Sequence, residues 1–291
     1  MIKIDKNTHV FSMSPHPVNY TMSQSGDTVI FETKDCFCNN FIPENTKMGV
    51  HNPENSNPAT GPLYIAGAKK GDVLKIDIID IELGDVGIFI SGPVNKIFER
   101  HVKGYHINRI RVKNGVVSVS ETLKVQSKPM IGVIGVATED ALSTVLPGAH
   151  GGNLDCNDIT IGSTVYLPVF VDGGLLCIGD LHALMGDGEI GECGLEIEGK
   201  VTVRVSVVKK MKMSTPRVET NDFIEIIGLG KTLEKASEQA SGEMLKYMIH
   251  ELKIEAHEAS KRLCLCGNIK ICQQVNQIKT VAMKVPKWAL E

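Results

Sequence analysis

Aromatic residues are scarce, 5% of 291 with a single Trp. That scarcity weakens any reading built on base-stacking platforms. A strong excess of either charge is also missing: 31 Lys and Arg face 34 Asp and Glu, for a formal net charge of −3. A dedicated nucleic-acid binder is usually basic, so none is expected here. No apolar run approaches the roughly 18 residues of a membrane-crossing helix. The opening MIKIDKNTHVFSMSP has no apolar core behind a basic start, so no secretory leader is read and a cytoplasmic address is expected. In that setting the eight cysteines are expected as thiols, most of them small buried apolar residues. Cys36/Cys38 and Cys264/Cys266 are C-x-C pairs, not the C-x-x-C of common zinc and redox sites. Neither a G-x-S-x-G nucleophile elbow nor a phosphate-binding P-loop is present.

The sharpest absence is local. Between Lys128 and Lys200 there is no Lys or Arg, while the interval holds eleven acids and half of the 28 glycines. The rest of the chain therefore carries a surplus of eight positive charges. The near-zero net charge hides this lopsided stretch, and chemistry is sought there first.

A hydrophobic content of 42% is ample for a core. Asp27–Thr33, Asp72–Asp80 and Tyr105–Val112 alternate apolar with polar residues, the period of half-buried strands. Asn114-Gly115 between Ile107–Val112 and Val116–Val119 is a strong hairpin signal. Leu195–Val208 alternates around Gly199 and predicts a hairpin or a bulged strand. Beyond Thr232 the apolar residues Leu233, Ala236, Ala240, Met244, Met248 and Leu252 fall at helical spacing. Thr232 suits the N-cap, a second helix is expected over about 255–266, and a last strand over Thr280–Val285. The expected architecture is mainly β, a sandwich or barrel body with a smaller α+β C-terminal portion. Its expected parts are an N-terminal β domain (1–130), a β region carrying the site (131–208) and the α+β portion (209–291).

Two clusters mark the acidic interval. One is His150-Gly-Gly-Asn153-Leu-Asp155; the other is Gly179-Asp180-Leu-His182 followed by Gly186-Asp187-Gly188-Glu189. Between them, Ile159–Val171, an Asp172-Gly-Gly turn and Leu175–Ile178 predict a hairpin that returns the second cluster to the first. Imidazole and carboxylate in glycine-rich loops are the groups a divalent cation takes, and no nearby base neutralises the acids. Ordinary solvated turns explain the same Asp-Gly and Gly-Gly steps; the two histidines favour metal. Gly186–Gly191 spells G-x-G-x-x-G, but its two acids would repel a pyrophosphate. Asn153–Asp158 starts like a calcium loop, yet Asp158 and Thr164 stand where an EF-hand needs Gly and Glu. Cys156 has no second group that marks it as a nucleophile. Glu32 and Asp35 close the Thr28–Phe37 strand as a second candidate region. His16, His250 and His257 are expected at the surface, and Met48–Pro62, with His51, as an exposed loop.

Taken in order, His150–Asp155, Gly162-Ser163 with Leu167-Pro168-Val169, Gly179–Ala183, Gly186–Glu189, the earlier Phe31–Asp35 and Asn57–Pro62, and Val281–Pro286 after the helices resemble the acetamidase/formamidase family. The resemblance covers nearly the whole chain. One departure is Met185, where many relatives have Gln. The resemblance implies a metal-containing β-rich fold, self-association as a homodimer or homotetramer, and hydrolysis of a small amide to a carboxylic acid and ammonia. On this reading a divalent metal, zinc foremost with calcium as a further ion, is held by His150, Asp155 and His182, with Asp35 and Asp187 as further ligands. Glu32 or Glu189 acts as the base, Asp180 orients a ligand histidine, and Asn153 donates to the developing oxyanion. Two alternatives stay open: a non-catalytic calcium- or ligand-binding module, and hydrolysis of a cyclic amide, which Met185 motivates.

Overall fold

Alternating apolar side chains give each strand one dry face, and two such faces close on each other. The computed structural model describes residues 1–40, 42–44 and 55–291; His51 lies outside them. A nine-stranded sheet contains Thr28–Thr33, Gly199–Val208, Val73–Leu83 and Thr164–Pro168 as neighbours, and continues through Arg217–Glu219, Phe223–Gly230 and Lys279–Pro286. Strands from all three expected segments share this sheet. An eleven-stranded sheet holds Val86–Ser91, Glu196–Ile197, Leu176–His182, Met130–Gly135 and Gly151–Asn153 in that order, with Ala59–Ile65 beside Leu176–His182. One core lies between them: Val29, Phe31, Ile76 and Val203 from the first sheet meet Leu63, Ile131, Ile178 and Leu181 from the second. Each such side chain contributes roughly 1.5–3 kcal/mol on burial. The architecture is the mainly-β sandwich expected from the sequence.

The Asn114-Gly115 hairpin forms as expected, with both turn residues at positive φ (51° and 74°). The Leu195–Val208 stretch is neither a hairpin nor one strand. Glu196–Ile197 belongs to the eleven-stranded sheet and Gly199–Val208 to the nine-stranded one, so the chain changes sheets at Glu198. Gly199 permits the crossing, because a Cβ there would stand 2.4 Å from the Glu82 carbonyl oxygen.

The predicted 159–178 hairpin is also corrected. Thr164–Pro168 pairs in the first sheet, whereas Leu176 begins a strand of the second that runs on to His182. The two clusters meet through a different strand, Met130–Gly135, which pairs with Gly151–Asn153 on one side and Leu176–His182 on the other. The expected loop up to Pro62 is likewise revised: Ala59–Ile65 is a buried strand, because it fills the other flank of Leu176–His182.

Thr232 caps the helix Leu233–Lys246, its hydroxyl oxygen accepting from the Lys235 N–H at 3.3 Å. That helix packs on Phe223–Gly230 so closely that a Cβ on Gly228 would meet the Ala236 carbonyl oxygen at 2.1 Å. A π-helical turn, Tyr247–Glu251, and a second helix, Ala256–Cys266, complete a satellite core around Ile226, Met244, Met248, Leu263 and Met283. Among the described residues no helix is long and apolar enough to cross a membrane.

Candidate active site

The strand Met130–Gly135 carries glycine where its neighbours carry acids. A Cβ on Gly132 would lie 2.6 Å from Asp180 Oδ2 and 2.7 Å from Asp155 Oδ1. Gly194 plays the same part for His182, whose ring would be 2.5 Å from an added Cβ. These glycines leave room for a cluster of buried side chains. Asp155, His182 and Glu189 each offer a ligand atom within 4.8 Å of the others; Cys36, Asp180 and Glu196 form a second such set. His182 joins the two, with Nε2 3.1 Å from Glu196 Oε1 and 3.7 Å from Asp180 Oδ1. The register Leu181↔Ile197, His182↔Glu196 sets that pair directly across the sheet.

The electrostatics are one-sided. Among the described residues no Lys or Arg pairs with Asp155, Asp180, Glu189 or Glu196, and Asp155 and His182 are each 1% exposed. Burial and then the neighbouring acids raise the carboxyl pKa of Asp155 well above its usual value. Burial likewise pushes Glu189 up to about 8 and raises Glu196, with His182 pulling both back. Burial lowers the His182 pKa, but Glu196 and Asp180 outweigh it and hold the imidazolium well above the ordinary range. Both Asp155 oxygens, His182 Nδ1 and Glu196 Oε2 are buried without a hydrogen-bond partner. Buried polar atoms are rarely left so. Carboxylate oxygens and an imidazole nitrogen, unpartnered and converging, are the donor set of a divalent cation, so these residues fit one.

Backbone strain collects at the same place. Asp155, Asp180 and Glu189 all adopt positive φ, 46°, 56° and 46°. Non-glycine residues held this way cost on the order of 1–3 kcal/mol each and concentrate at functional sites.

The other expected site residues are placed as follows. His150 is buried against Gly148 and Gly152, burial drives its pKa down to about 4, and its Nε2 has no hydrogen-bond partner. Asp35 adjoins the cluster, but its Oδ1 accepts from the N–H groups of Phe37 (3.1 Å) and Asn39 (2.6 Å), so it caps a turn. Burial raises its pKa and those two donors oppose the rise. Asn153 is buried and its Oδ1 accepts from Asn57 Nδ2 at 3.5 Å; the same Nδ2 donates to Asp180 Oδ2 at 3.0 Å. Glu32 projects from the opposite face of its strand to core residue Phe31 and pairs with Lys3 at 2.8 Å, outside the cluster. Asp187 is largely exposed, accepts from Asn157 Nδ2 at 2.8 Å and stands 3.5 Å from Lys270. Met185 lines a cavity of about 840 Å³ beside Asp187, Lys270 and Lys284, which no member of the acidic cluster lines.

Glu196 and Cys36 escaped the sequence reading. Glu196 sits in an alternating strand as a solvent-facing acid would, and only the pairing with His182 turns it inward. Cys36 reads as one more small apolar residue. A signal for the site did exist: a glycine inside the apolar run Met130–Gly135 marks a close approach.

The acetamidase/formamidase family profile matches residues 108–286. The crystal structure of an acetamidase from Bacillus halodurans superposes with a TM-score of 0.93 at 39% identity, covering 98% of this chain and 97% of that one. A recombinant predicted acetamidase/formamidase from Thermoanaerobacter tengcongensis gives the same score at 37% identity, covering 99% and 96%. A formamidase from Methylophilus methylotrophus is 46% identical over 74 residues, 25% of this chain; the match spans only 18% of that relative's length. With its profile covering more than half of the sequence and solved relatives matching almost all of it, the chain belongs to the acetamidase/formamidase family.

Proposed function

We propose that this protein hydrolyses short-chain amides of the formamide or acetamide type, and that the acidic cluster around His182 does the chemistry with a divalent metal. The observation that carries the reading is the set of buried, unpartnered atoms on Asp155 and His182 beside Glu189, with no Lys or Arg paired to them among the described residues. Asp155 and His182 would hold the ion, zinc foremost, and when bound it supplies Lewis acidity toward an amide carbonyl.

The chain's own residues supply the rest. Glu196 and Asp180 flank His182 Nε2 and keep the ring oriented, which leaves the unpartnered Nδ1 as the atom that would hold the ion. Glu189 keeps 8% exposure against 1% for Asp155 and His182. It is therefore the carboxylate that meets incoming water, takes its proton and returns it to the departing amine. Asn153 has its amide oxygen engaged by Asn57, which leaves its NH₂ group to donate to the developing oxyanion. Burial of the whole cluster strengthens each of these interactions by excluding water. Assembly as a homodimer or homotetramer belongs to the same proposal and rests on the family resemblance; a cytoplasmic address belongs to it as an expectation read from the sequence.

The test is ammonia release from formamide and acetamide by the full chain, before and after chelation and after metal is restored. Release that disappears on chelation and returns with metal supports the reading. A metal-replete protein inert toward a panel of small linear amides would overturn it, and calcium as the sole bound metal without turnover would point to a binding module.

A further inference from the structure

The basic surplus outside the acidic interval also has a focus. After Val208 the chain leaves the nine-stranded sheet as Lys209-Lys210-Met211-Lys212-Met213 and rejoins it at Arg217. With the end of helix Leu233–Lys246 and the π-helical turn Tyr247–Glu251, this segment encloses a cavity of about 800 Å³. Such a volume suits a small organic ligand. None of its lining residues belongs to the acidic cluster.

Arg217 forms one wall and is only 6% exposed. Its guanidinium lies over two aromatic rings, 4.4 Å from the Tyr166 centroid and 4.9 Å from that of Tyr247, which holds its plane. Yet its donors are almost unused. Nε is buried with no hydrogen-bond partner, and Nη2 reaches only the Met211 sulfur at 3.7 Å. Nη1 stands 3.8 Å from Glu251 Oε2, beyond hydrogen-bond range. A guanidinium carries five N–H donors in a rigid fork, and leaving buried donors unmet costs about 1–3 kcal/mol each. Lys209 and Lys246 are committed to Asp72 and Glu243. Lys210 and Lys212, by contrast, line the cavity as exposed lysines without an ion pair among the described residues. The π-helical turn supplies Tyr247 and Glu251, and such turns recur at functional sites.

We propose that this cavity is a second binding site, for a small organic anion held through a phosphate or carboxylate group. Arg217 is the fork that receives two anion oxygens, the geometry for which a guanidinium is suited. Lys210 and Lys212 balance the remaining charge. Met211, Met213 and Ile226 give the organic part an apolar wall. Glu251 is part-exposed, and its long contact with Arg217 is the one the anion replaces.

Titration calorimetry on the full chain decides it, with inorganic phosphate and succinate as probes at constant ionic strength and chloride as the control. Saturable binding of phosphate or succinate, but not chloride, is expected; the tighter of the two identifies the phosphate or the carboxylate source. The Lys210→Ala/Lys212→Ala double variant alters only exposed side chains and should keep the wild-type melting temperature while binding at least about tenfold more weakly. Arg217→Lys keeps the charge but loses the fork and should weaken binding further. The absence of saturable heat with both anions, or undiminished affinity in the folded double variant, overturns the proposal.

Discussion

Two buried polar clusters lie in this sandwich, and they differ in one respect. Around His182, four acids share a single imidazole and, among the described residues, no Lys or Arg. Around Asp158, the acids are answered. Lys270 and Lys284 both pair with Asp158, Lys284 also pairs with Glu225 at 2.9 Å, and the Cys156 thiol donates to Glu225 at 3.9 Å. Burial opposes the Asp158 charge, but Lys270 prevails and its pKa falls to about 2. Both clusters bring three ligand-type side chains within reach of one point. Charge balance tells them apart: two lysines face the acids of the Asp158 cluster, while among the described residues no Lys or Arg faces those of the His182 cluster.

The largest predicted difference comes from removing the shared imidazole. His182→Ala should lower kcat/KM for formamide by about 10³-fold or more while the far-ultraviolet dichroism stays native, as loss of a ligand and its flanking hydrogen bonds implies. Near-wild-type turnover in that variant would take His182 out of the chemistry. The balanced cluster should respond in stability instead. Lys284→Met strips Asp158 and Glu225 of a shared partner and should cost roughly 1–3 kcal/mol, the partly solvated position reducing the usual penalty for breaking a buried pair. Denaturant melts would show the loss, and kcat should hold.

A smaller effect is a matter of pH. Burial pushes Glu225 from 4.5 up to about 7, so the native state keeps a proton that the unfolded chain has released. Its contribution to stability is complete below 4.5 and is lost as pH rises toward about 7. Glu225→Gln should flatten the melting temperature over that interval by a few degrees; an unchanged pH profile would show that Glu225 is already ionised there. The smallest effect belongs to Asp187. It is exposed and outside the cluster, so Asp187→Ala should leave kcat/KM within about twofold of wild type, as is usual for surface substitutions. A hundredfold loss would bring it back among the ligands.

Much of the fold could be read from local signals. The strands follow from alternation, the Asn114-Gly115 turn from its dipeptide, and the helix after Thr232 from cap and period. The acidic interval does hold the buried acidic cluster, and Asp155, His182 and Glu189 stand out in it as side chains. What could not be read is long-range pairing. Alternation does not say that Thr164–Pro168 and Leu176–His182 part into different sheets, nor that Glu196 faces His182. His150 sits in a tight glycine loop that buries its ring, and its Nε2 has no hydrogen-bond partner. Asp35 ends a strand as a ligand might, yet its oxygen is consumed by two backbone donors of the turn it caps. In each case the residue type was legible and its partner was not, because the partner is set by sheet register.

The contrast between the two clusters is tested most directly by the divalent metal content of the purified full chain, measured for wild type, Asp155→Asn and Glu225→Gln. Stoichiometric metal is predicted in wild type and in Glu225→Gln, with loss in folded Asp155→Asn. A wild-type protein that takes up no divalent metal when it is supplied, or a loss that follows Glu225 and not Asp155, would contradict the account.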